Sequence, residues 1–495
     1  MNTLLVLLVL SALFYAAKKT ERRNVAPPPP VDRLDEPLMN WGAGDAFTKR
    51  DLLRSVSIMG AAGSGKTSAI GMILGRALAA CMNVSLLIIA SKPEDRRMWE
   101  GIAAAAGRKL LVFGPKEPHR FNLIACEARA GADSREITEC ILTTTEALTR
   151  NEGRSGDAFW VFQDRRMIAN AVEVIKQAYG DVDTWSIQKY INDAPASGDQ
   201  TQSEEWKKGY FYSTIKKALE TEKTQIERQD LSLAMQFWLN EYPQMADKTR
   251  SSINASVLGR LHVFNSGIVR ELIGTETTVS PQVFDDGAMV LVDMPVANYG
   301  LSGTVVAGAW KYATQRHILR RAAGAETPVA CIWIDEYQNH ITGFDSHYLA
   351  ECRSHRGCMV VLTQSMHSFF SSIGGNESQS KTKALLTNYG TKVFMALGDE
   401  ESAKYASSLV GQSIIRLSNA SRSGGAKVYD EILGDYTLST SLNEQIAELI
   451  LPRLFMNGLK TGGPENGFIA EGWVIRNGQS FSNGENAMLV GFSQR

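Results

Sequence analysis

A glycine-rich octapeptide near residue 60 leaves very few folds open to this chain. It reads Gly60-Ala61-Ala62-Gly63-Ser64-Gly65-Lys66-Thr67 and satisfies the pattern G-x-x-x-x-G-K-[ST]. In such a loop the glycines permit a turn in which consecutive backbone N–H groups point at a phosphate. A strand-like run (55–60) precedes the loop and a helix-like run (68–80) follows it. We therefore predict a strand–loop–helix unit that binds a nucleoside triphosphate.

The residues of this loop have expected roles. Lys66 reaches the β- and γ-phosphates, and the Thr67 hydroxyl ligates Mg²⁺. The backbone of residues 60–68, which includes Ser68, is expected to hold ATP at the positive end of the helix dipole. The alternative is a glycine-rich turn with an incidental lysine, and the flanking strand and helix disfavour it.

A second motif places two acids at the end of an apolar strand, in the run Cys331-Ile332-Trp333-Ile334-Asp335-Glu336. Asp335 can hold Mg²⁺ through water, and Glu336 can act as general base on an attacking water. A strand that ends in Asp-Glu is common by itself. In the same sheet as the phosphate loop it favours a hydrolysing motor ATPase over a switch protein or a kinase.

Two further candidates lie around the next apolar strand (358–364). Gln364 at its end can contact the γ-phosphate or position water. Arg353, which precedes it, can reach the nucleotide of a neighbouring subunit as an arginine finger. The alternatives, a capping glutamine and a surface arginine, stay open.

The first residues of the chain form an apolar segment, from Thr3 to Ala17, without a charge. Lys18, Lys19 and two arginines follow it, whereas a cleaved signal peptide carries its positive charge before the apolar run. Basic residues on one side predict that the bulk of the chain is cytoplasmic. We therefore expect a short single-pass transmembrane helix, followed by a stiff spacer at Pro27–Pro30.

Short apolar runs that alternate with helix-length segments predict an α/β fold with a parallel sheet. The predicted strands are 55–60, 84–90, 109–114, 288–296, 329–337, 358–364 and 391–397. From about 133 to 264 the strand signals vanish, and helical spacing with mixed charge, as in 203–227, predicts an inserted all-α domain. The expected units are a membrane anchor (1–23), a Pro-rich linker (24–44), a nucleotide-binding domain in two parts (45–132 and 271–495) and an all-α insertion (133–270).

The overall charge excludes a protein that binds nucleic acid through its total field, since 52 Lys and Arg stand against 53 Asp and Glu. Any DNA contact must come from a local basic surface, for which Lys216, Lys217 and Arg228 are candidates. Six scattered cysteines without a CxxC pair disfavour a disulfide framework or a thiolate zinc site.

Two groups of residues stay ambiguous. Four histidines fall close together without a zinc spacing, and we expect them to be solvated or adjacent to phosphate: His340, His347, His355 and His367. The aromatic residues of the insertion can stack on bases, but core packing is the favoured interpretation: Trp206, Tyr210, Phe211, Tyr212, Phe237 and Trp238.

Taken together, these motifs resemble the type IV secretion coupling proteins, the membrane-anchored ATPases of bacterial conjugation. The resemblance extends from about residue 45 to 455 and keeps the order of the motifs. One departure is the end of the second strand, where Ala90-Ser91-Lys92-Pro93 replaces the family's Asp-Pro-Lys. Further matching segments are Phe121-Asn122-Leu123, SSINASVLGRL (251–261), RSHRGCMVVLTQS (353–365) and NYGTKVFMALGDEESAKYASSLVG (388–411).

The family implies a RecA-like fold and a homohexamer with nucleotide sites between subunits. It implies transport of single-stranded DNA with an attached relaxase to a type IV secretion channel at the bacterial inner membrane. By position, Arg353 matches the family's trans-acting arginine and Gln364 its strand-end glutamine. Two other classes stay open: another P-loop DNA motor, for chromosome partitioning or genome packaging, and a recruitment platform that uses nucleotide only to assemble.

Overall fold

A sheet of nine strands forms the centre of the molecule. The computed structural model describes residues 33–42, 44–148, 158–424 and 436–495. The strands are β1 (Pro37–Asn40), β2 (Ala46–Thr48), β3 (Val56–Met59), β4 (Val84–Ile89), β5 (Leu110–Phe113), β6 (Met289–Val292), β7 (Val329–Ile334), β8 (Gly357–Thr363), β9 (Thr391–Phe394), β10 (Gln412–Gly424), β11 (Tyr436–Glu448), β12 (Ile469–Arg476) and β13 (Ala487–Ser493).

The order of strands in the large sheet is β13-β12-β9-β3-β8-β7-β4-β6-β5. Strands β9 to β5 in that order are parallel, whereas β12 pairs antiparallel with both β9 and β13. The strands β3, β4, β7 and β8 are buried along their whole length, as expected when helices cover both faces of a parallel sheet. The predicted α/β fold is confirmed, with the antiparallel edge as an addition.

Helices surround the sheet and fill the long connection between β5 and β6. They are α1 (Lys49–Leu52), α2 (Met72–Ala80), α3 (Pro93–Ala105), α4 (Leu123–Arg129), α5 (Ser134–Thr144), α6 (Ala158–Tyr179), α7 (Thr184–Asn192), α8 (Tyr210–Glu220), α9 (Gln225–Gln236), α10 (Tyr242–Gln244), α11 (Asp247–Phe264), α12 (Gly267–Ile273), α13 (Val296–Arg320), α14 (Phe344–Glu351), α15 (Met366–Ile373), α16 (Ser378–Thr387), α17 (Glu400–Val410) and α18 (Pro452–Asn457).

Short 3₁₀ and π segments complete the described structure. The 3₁₀ turns are Arg33–Asp35, Glu146–Leu148, Asp199–Gln202, Trp206–Lys208, Pro281–Asp286, Tyr337–Asn339, Cys352–His355 and Pro464–Asn466, and the π-helical segments are Lys66–Gly71 and Phe237–Glu241.

The helices α4 to α12 form a packed unit around aromatic side chains. The ring centroids of Tyr190 and Phe211 lie 4.4 Å apart, and Trp238 lies 5.3 Å from Tyr190. Phe211, Phe237 and Trp238 are buried, so these three pack in the core as expected. The segment 203–227 is helical as expected and contains α8 and the start of α9, whose N-cap Thr224 forms a capping box with Glu227.

The predicted membrane anchor (1–23) and residues 24–32 of the predicted Pro-rich linker lie outside the described residues. Within the part of the chain that the structure describes, no helix is both long and apolar enough to cross a bilayer. The residue boundaries of the domains stay predictions.

Candidate functional site

The phosphate loop lies at the carboxyl edge of the central sheet, directly after β3. The Gly60 N–H donates to the Thr363 carbonyl at 3.1 Å, at the end of β8, and the Ala61 N–H donates to the Ala396 carbonyl at 2.8 Å, just beyond β9. Gly63 and Gly65 have φ of 78° and 85°, a region that favours glycine. The two neighbouring strands therefore hold the loop in the position where α/β sheets bind ligands.

The helix that follows the loop starts differently from the prediction. Lys66–Gly71 is π-helical, and the regular α-helix begins only at Met72. A Cβ on Gly71 would lie 2.8 Å from the Lys66 carbonyl oxygen, so the wide turn depends on glycine at this position. Single π turns of this kind occur frequently at functional sites.

Two oxygen-bearing side chains, those of Thr67 and Asp335, contact each other beside the loop. The Thr67 hydroxyl donates to a carboxylate oxygen of Asp335 at 2.9 Å, and the Glu336 N–H donates to the other at 2.8 Å. Burial raises the pKa of Asp335, although the hydrogen bond from Thr67 opposes that shift. A hydroxyl and a carboxylate are the oxygen donors that Mg²⁺ prefers, so this pair fits a Mg²⁺ site.

Glu336 stands where four polar side chains converge. Its carboxylate accepts hydrogen bonds from Gln364, at 3.0 and 3.2 Å, and from Gln338, at 2.6 Å. The ammonium groups of Lys66 and Lys92 lie 3.9 and 3.6 Å from its Oε1 atom. Burial acts to raise the pKa of Glu336, but the hydrogen bonds and the two lysines outweigh it and lower the pKa.

The backbone at Glu336 is strained. Its φ of 47° lies in the left-handed region, which is unfavourable for a residue with a long side chain. Such strain persists only when the surroundings enforce it, and it is concentrated at functional sites. The carboxylate of Glu336 lies within 3.9 Å of the loop residue Lys66.

Two residues of this cluster were not among the sequence candidates. Lys92 follows β4, which is paired with β7 in the sheet, and Gln338 lies two positions beyond Glu336. The Ser91 hydroxyl donates to the Asp335 carbonyl at 2.5 Å, so the turn after β4 is attached to the acidic strand end. The signal that could have indicated Lys92 is its place after a parallel strand, at the same edge as the loop.

The predicted residues divide into two groups. The structure brings Lys66, Thr67, Asp335, Glu336 and Gln364 together. Arg353 is exposed and lies in the 3₁₀ turn before β8. This turn is at the amino-terminal end of the parallel strands, whereas the loop is at their carboxyl-terminal end. A strand of this length spans roughly 20 Å, so Arg353 is remote from the phosphate loop of its own chain.

The histidine cluster has no common environment. His340 is buried, which corrects the expectation that all four are solvated or near phosphate; His347 and His367 are largely exposed. Among the described residues, no group of three or more His, Cys, Asp and Glu side chains is placed to hold a metal ion.

Comparisons with known proteins agree with this architecture. Residues 12–456 match the family model described as Type IV secretory system Conjugative DNA transfer. None of the curated proteins shows significant sequence similarity to the chain.

Three similar solved structures have the same fold. The unbound bacterial conjugative coupling protein TrwBdeltaN70 is 12% identical, with a TM-score of 0.61 over 96% of this chain and 91% of that one. The plasmid coupling protein TrwB with ADP and Mg²⁺ is 12% identical, with a TM-score of 0.60 over 92% and 88%. TrwB with the ATP analogue ADPNP is also 12% identical, with a TM-score of 0.60 over 97% and 93%.

Proposed function

Because this chain belongs to the Type IV secretory system Conjugative DNA transfer family, we propose that it is an ATP-hydrolysing DNA translocase. It would couple a relaxase–DNA substrate to a type IV secretion channel in bacterial conjugation. The observation that carries the proposal is the convergence of Lys66 and Gln364 on the Glu336 carboxylate, beside the Thr67–Asp335 pair.

The arrangement supports hydrolysis of ATP. The N–H groups of residues 60–68 would bind the phosphates, and Lys66 would move from Glu336 to the β/γ-phosphates. Thr67 and Asp335 would hold Mg²⁺, which neutralises phosphate charge. Glu336 is ionised and can accept a proton from water, while the Gln364 carboxamide keeps its carboxylate oriented.

Arg353 would act on the nucleotide of an adjacent subunit in a homohexameric ring. Its exposed position, at the amino-terminal end of the parallel strands, is compatible with a contact to another subunit. The same position is incompatible with a contact to the phosphate loop of its own chain. An arginine in this role stabilises charge on the transferring γ-phosphoryl group.

Membrane attachment and DNA binding complete the proposal. Residues 1–23 would anchor the protein in the bacterial inner membrane, with residues 24–44 as linker and the bulk of the chain in the cytoplasm. The nucleotide-binding domain would comprise 45–132 and 271–495, and the all-α domain 133–270. Single-stranded DNA would be bound by local basic surfaces, so its affinity should fall with salt and depend little on sequence.

The test uses the full chain in lipid vesicles. Phosphate release from ATP should require Mg²⁺ and increase when single-stranded DNA of mixed sequence is added. The variant Glu336→Gln should lose this activity, whereas the exposed-residue control Glu351→Gln should keep it. A platform that uses nucleotide only for assembly would bind ATP without DNA-stimulated turnover, and that result would reject the motor.

A further inference from the structure

A glycine-rich loop beyond α18 (461–468) is connected to the phosphate-binding segment through Gln494, on the side of β3 away from Glu336. The sheet order places β8 and β7 on one side of β3, and β9, β12 and β13 on the other. Glu336 and Gln364 follow β7 and β8, so the γ-phosphate end of a bound nucleotide would face those strands. The nucleoside must then extend in the other direction, toward β12 and β13.

Gln494 connects this second side to the phosphate loop. Its carboxamide donates to the Ser68 hydroxyl at 2.9 Å and accepts from the Gly463 N–H at 2.8 Å. Its backbone N–H donates to the Phe468 carbonyl at 2.9 Å. A polar side chain with one donor and one acceptor thus lies beside the last residue of the phosphate-binding segment.

The packing around Gln494 is close. A Cβ on Gly65 would lie 2.7 Å from the Cβ of Ala470, in β12, and 3.6 Å from the Gln494 nitrogen. Gly462 also lies directly against the Gln494 carboxamide, where a Cβ would overlap it. The glycines therefore allow the loop 461–468 and the phosphate loop to approach Gln494 from both sides.

Two planar groups, the Phe468 ring and the Arg495 guanidinium, lie beside Gln494. The Arg495 guanidinium lies 4.0 Å from the centroid of the Phe468 ring. Phe468 is half-buried and has a left-handed φ of 62°, which is costly for an aromatic residue. Flat π surfaces of this kind are what a nucleobase stacks on.

We propose that Phe468, Gln494 and Arg495 form a nucleoside subsite that receives the base and ribose of a purine nucleotide bound on the phosphate loop. The base would stack on the Phe468–Arg495 pair, and the Gln494 carboxamide would exchange its bond to Ser68 for one to the nucleoside. This inference rests on the proposed function, because it presupposes that residues 60–68 bind the phosphates.

The test compares Mg²⁺-ATP with Mg²⁺-tripolyphosphate, which has the phosphates but no nucleoside. Binding to the full-length protein is measured for wild type, Phe468→Ala, Phe468→Leu and Gln494→Ala, with the exposed Gln479→Ala as matched control. The Phe468 variants should weaken ATP binding about tenfold, as expected for loss of one stacked base. Gln494→Ala should weaken ATP binding as well, and tripolyphosphate binding should stay unchanged in every variant.

Three results would contradict the proposal in distinguishable ways. Equal weakening of ATP and tripolyphosphate would mean that the loop 461–468 only supports the phosphate loop. Unchanged ATP binding in the Phe468 and Gln494 variants would place the nucleoside elsewhere. If wild-type protein binds neither ligand, the proposed function fails, and the subsite fails with it.

Discussion

At the scale of single residues, the surroundings of Glu336 favour its ionised carboxylate, which the proposed hydrolysis requires. A buried carboxylate ordinarily favours its protonated form, which cannot accept a proton from water. Here two amide donors and two lysines around the group lower its pKa instead. Its neighbour Asp335 is affected in the opposite direction, since burial raises the pKa of that carboxyl.

We expect Glu336→Gln to separate nucleotide binding from turnover. Glutamine keeps the size of the side chain but cannot take a proton, so the rate of ATP hydrolysis should fall by roughly 10²–10⁴-fold. Lys66→Ala should instead weaken ATP binding, because a positive charge at the phosphates is lost. Equilibrium binding and phosphate release measure the two effects. A Glu336→Gln rate like that of wild type would remove Glu336 from the mechanism.

The raised pKa of Asp335 predicts a pH-dependent gain in stability for Asp335→Asn. Well below the ordinary aspartate pKa of 3.8, Asp335 is protonated in both the folded and the unfolded protein, and the variant gains little. As the pH rises through the raised folded pKa, wild type alone must bury a charge. The difference in Tm between nucleotide-free variant and wild type should therefore grow with pH. A difference that shrinks instead would contradict the assigned environment.

At the scale of elements, a buried ion pair holds the segment after β7 in place. The Lys311 ammonium, in α13, contacts both carboxylate oxygens of Asp345 at 2.7 Å, and both side chains are completely buried. The Tyr337 hydroxyl donates to the same carboxylate at 2.8 Å. Since Tyr337 follows Glu336 directly, α13 and α14 help to enforce the strained backbone at Glu336.

This ion pair predicts a large asymmetry between single and double substitutions. Lys311→Met leaves Asp345 as an uncompensated buried charge and should cost about 3–5 kcal/mol of stability. The double variant Lys311→Met/Asp345→Leu removes both charges and should recover much of that loss. Urea denaturation of the three proteins measures the difference. A double variant less stable than Lys311→Met would show that the remaining hydrogen bonds of the network dominate.

At the scale of the whole molecule, the position of Arg353 determines which nucleotide site it can reach. The strand β8 separates it from the end of the sheet where Thr363 accepts the Gly60 N–H. An arginine in that place cannot complete the nucleotide site of its own chain. In the proposed ring, the end of the sheet that carries Arg353 in one subunit can face the phosphate loop of the next subunit.

A mixing experiment tests this proposal. Arg353→Ala should leave ATP binding largely intact and lower turnover by about 10³-fold or more in the assembled ring. Mixing Arg353→Ala with Lys66→Ala should restore part of the activity, since an intact phosphate loop can then face an intact arginine. Mixed rings as inactive as either variant alone would assign Arg353 a structural role.

Local patterns were sufficient for the strands and for the residues that follow them. The seven predicted strands all appear in the sheet, because buried parallel strands read as continuous apolar runs. Three of them, β6, β7 and β9, end three or four residues before the predicted limits. The phosphate loop and the acids 335 and 336 were visible because their chemistry requires particular residues at particular spacings. For the same reason the family was evident from sequence.

The tertiary structure determined everything that depends on which elements become neighbours. The contacts of Lys92 and Gln364 with Glu336 arise only because β4, β7 and β8 lie side by side. Gln494 reaches Ser68 only because the chain returns to the sheet as the antiparallel pair β12 and β13. A sequence specifies each strand through local periodicity, but the order of strands follows from packing between distant segments. A residue such as Gln494, whose contact depends on that order, therefore carries no local signal.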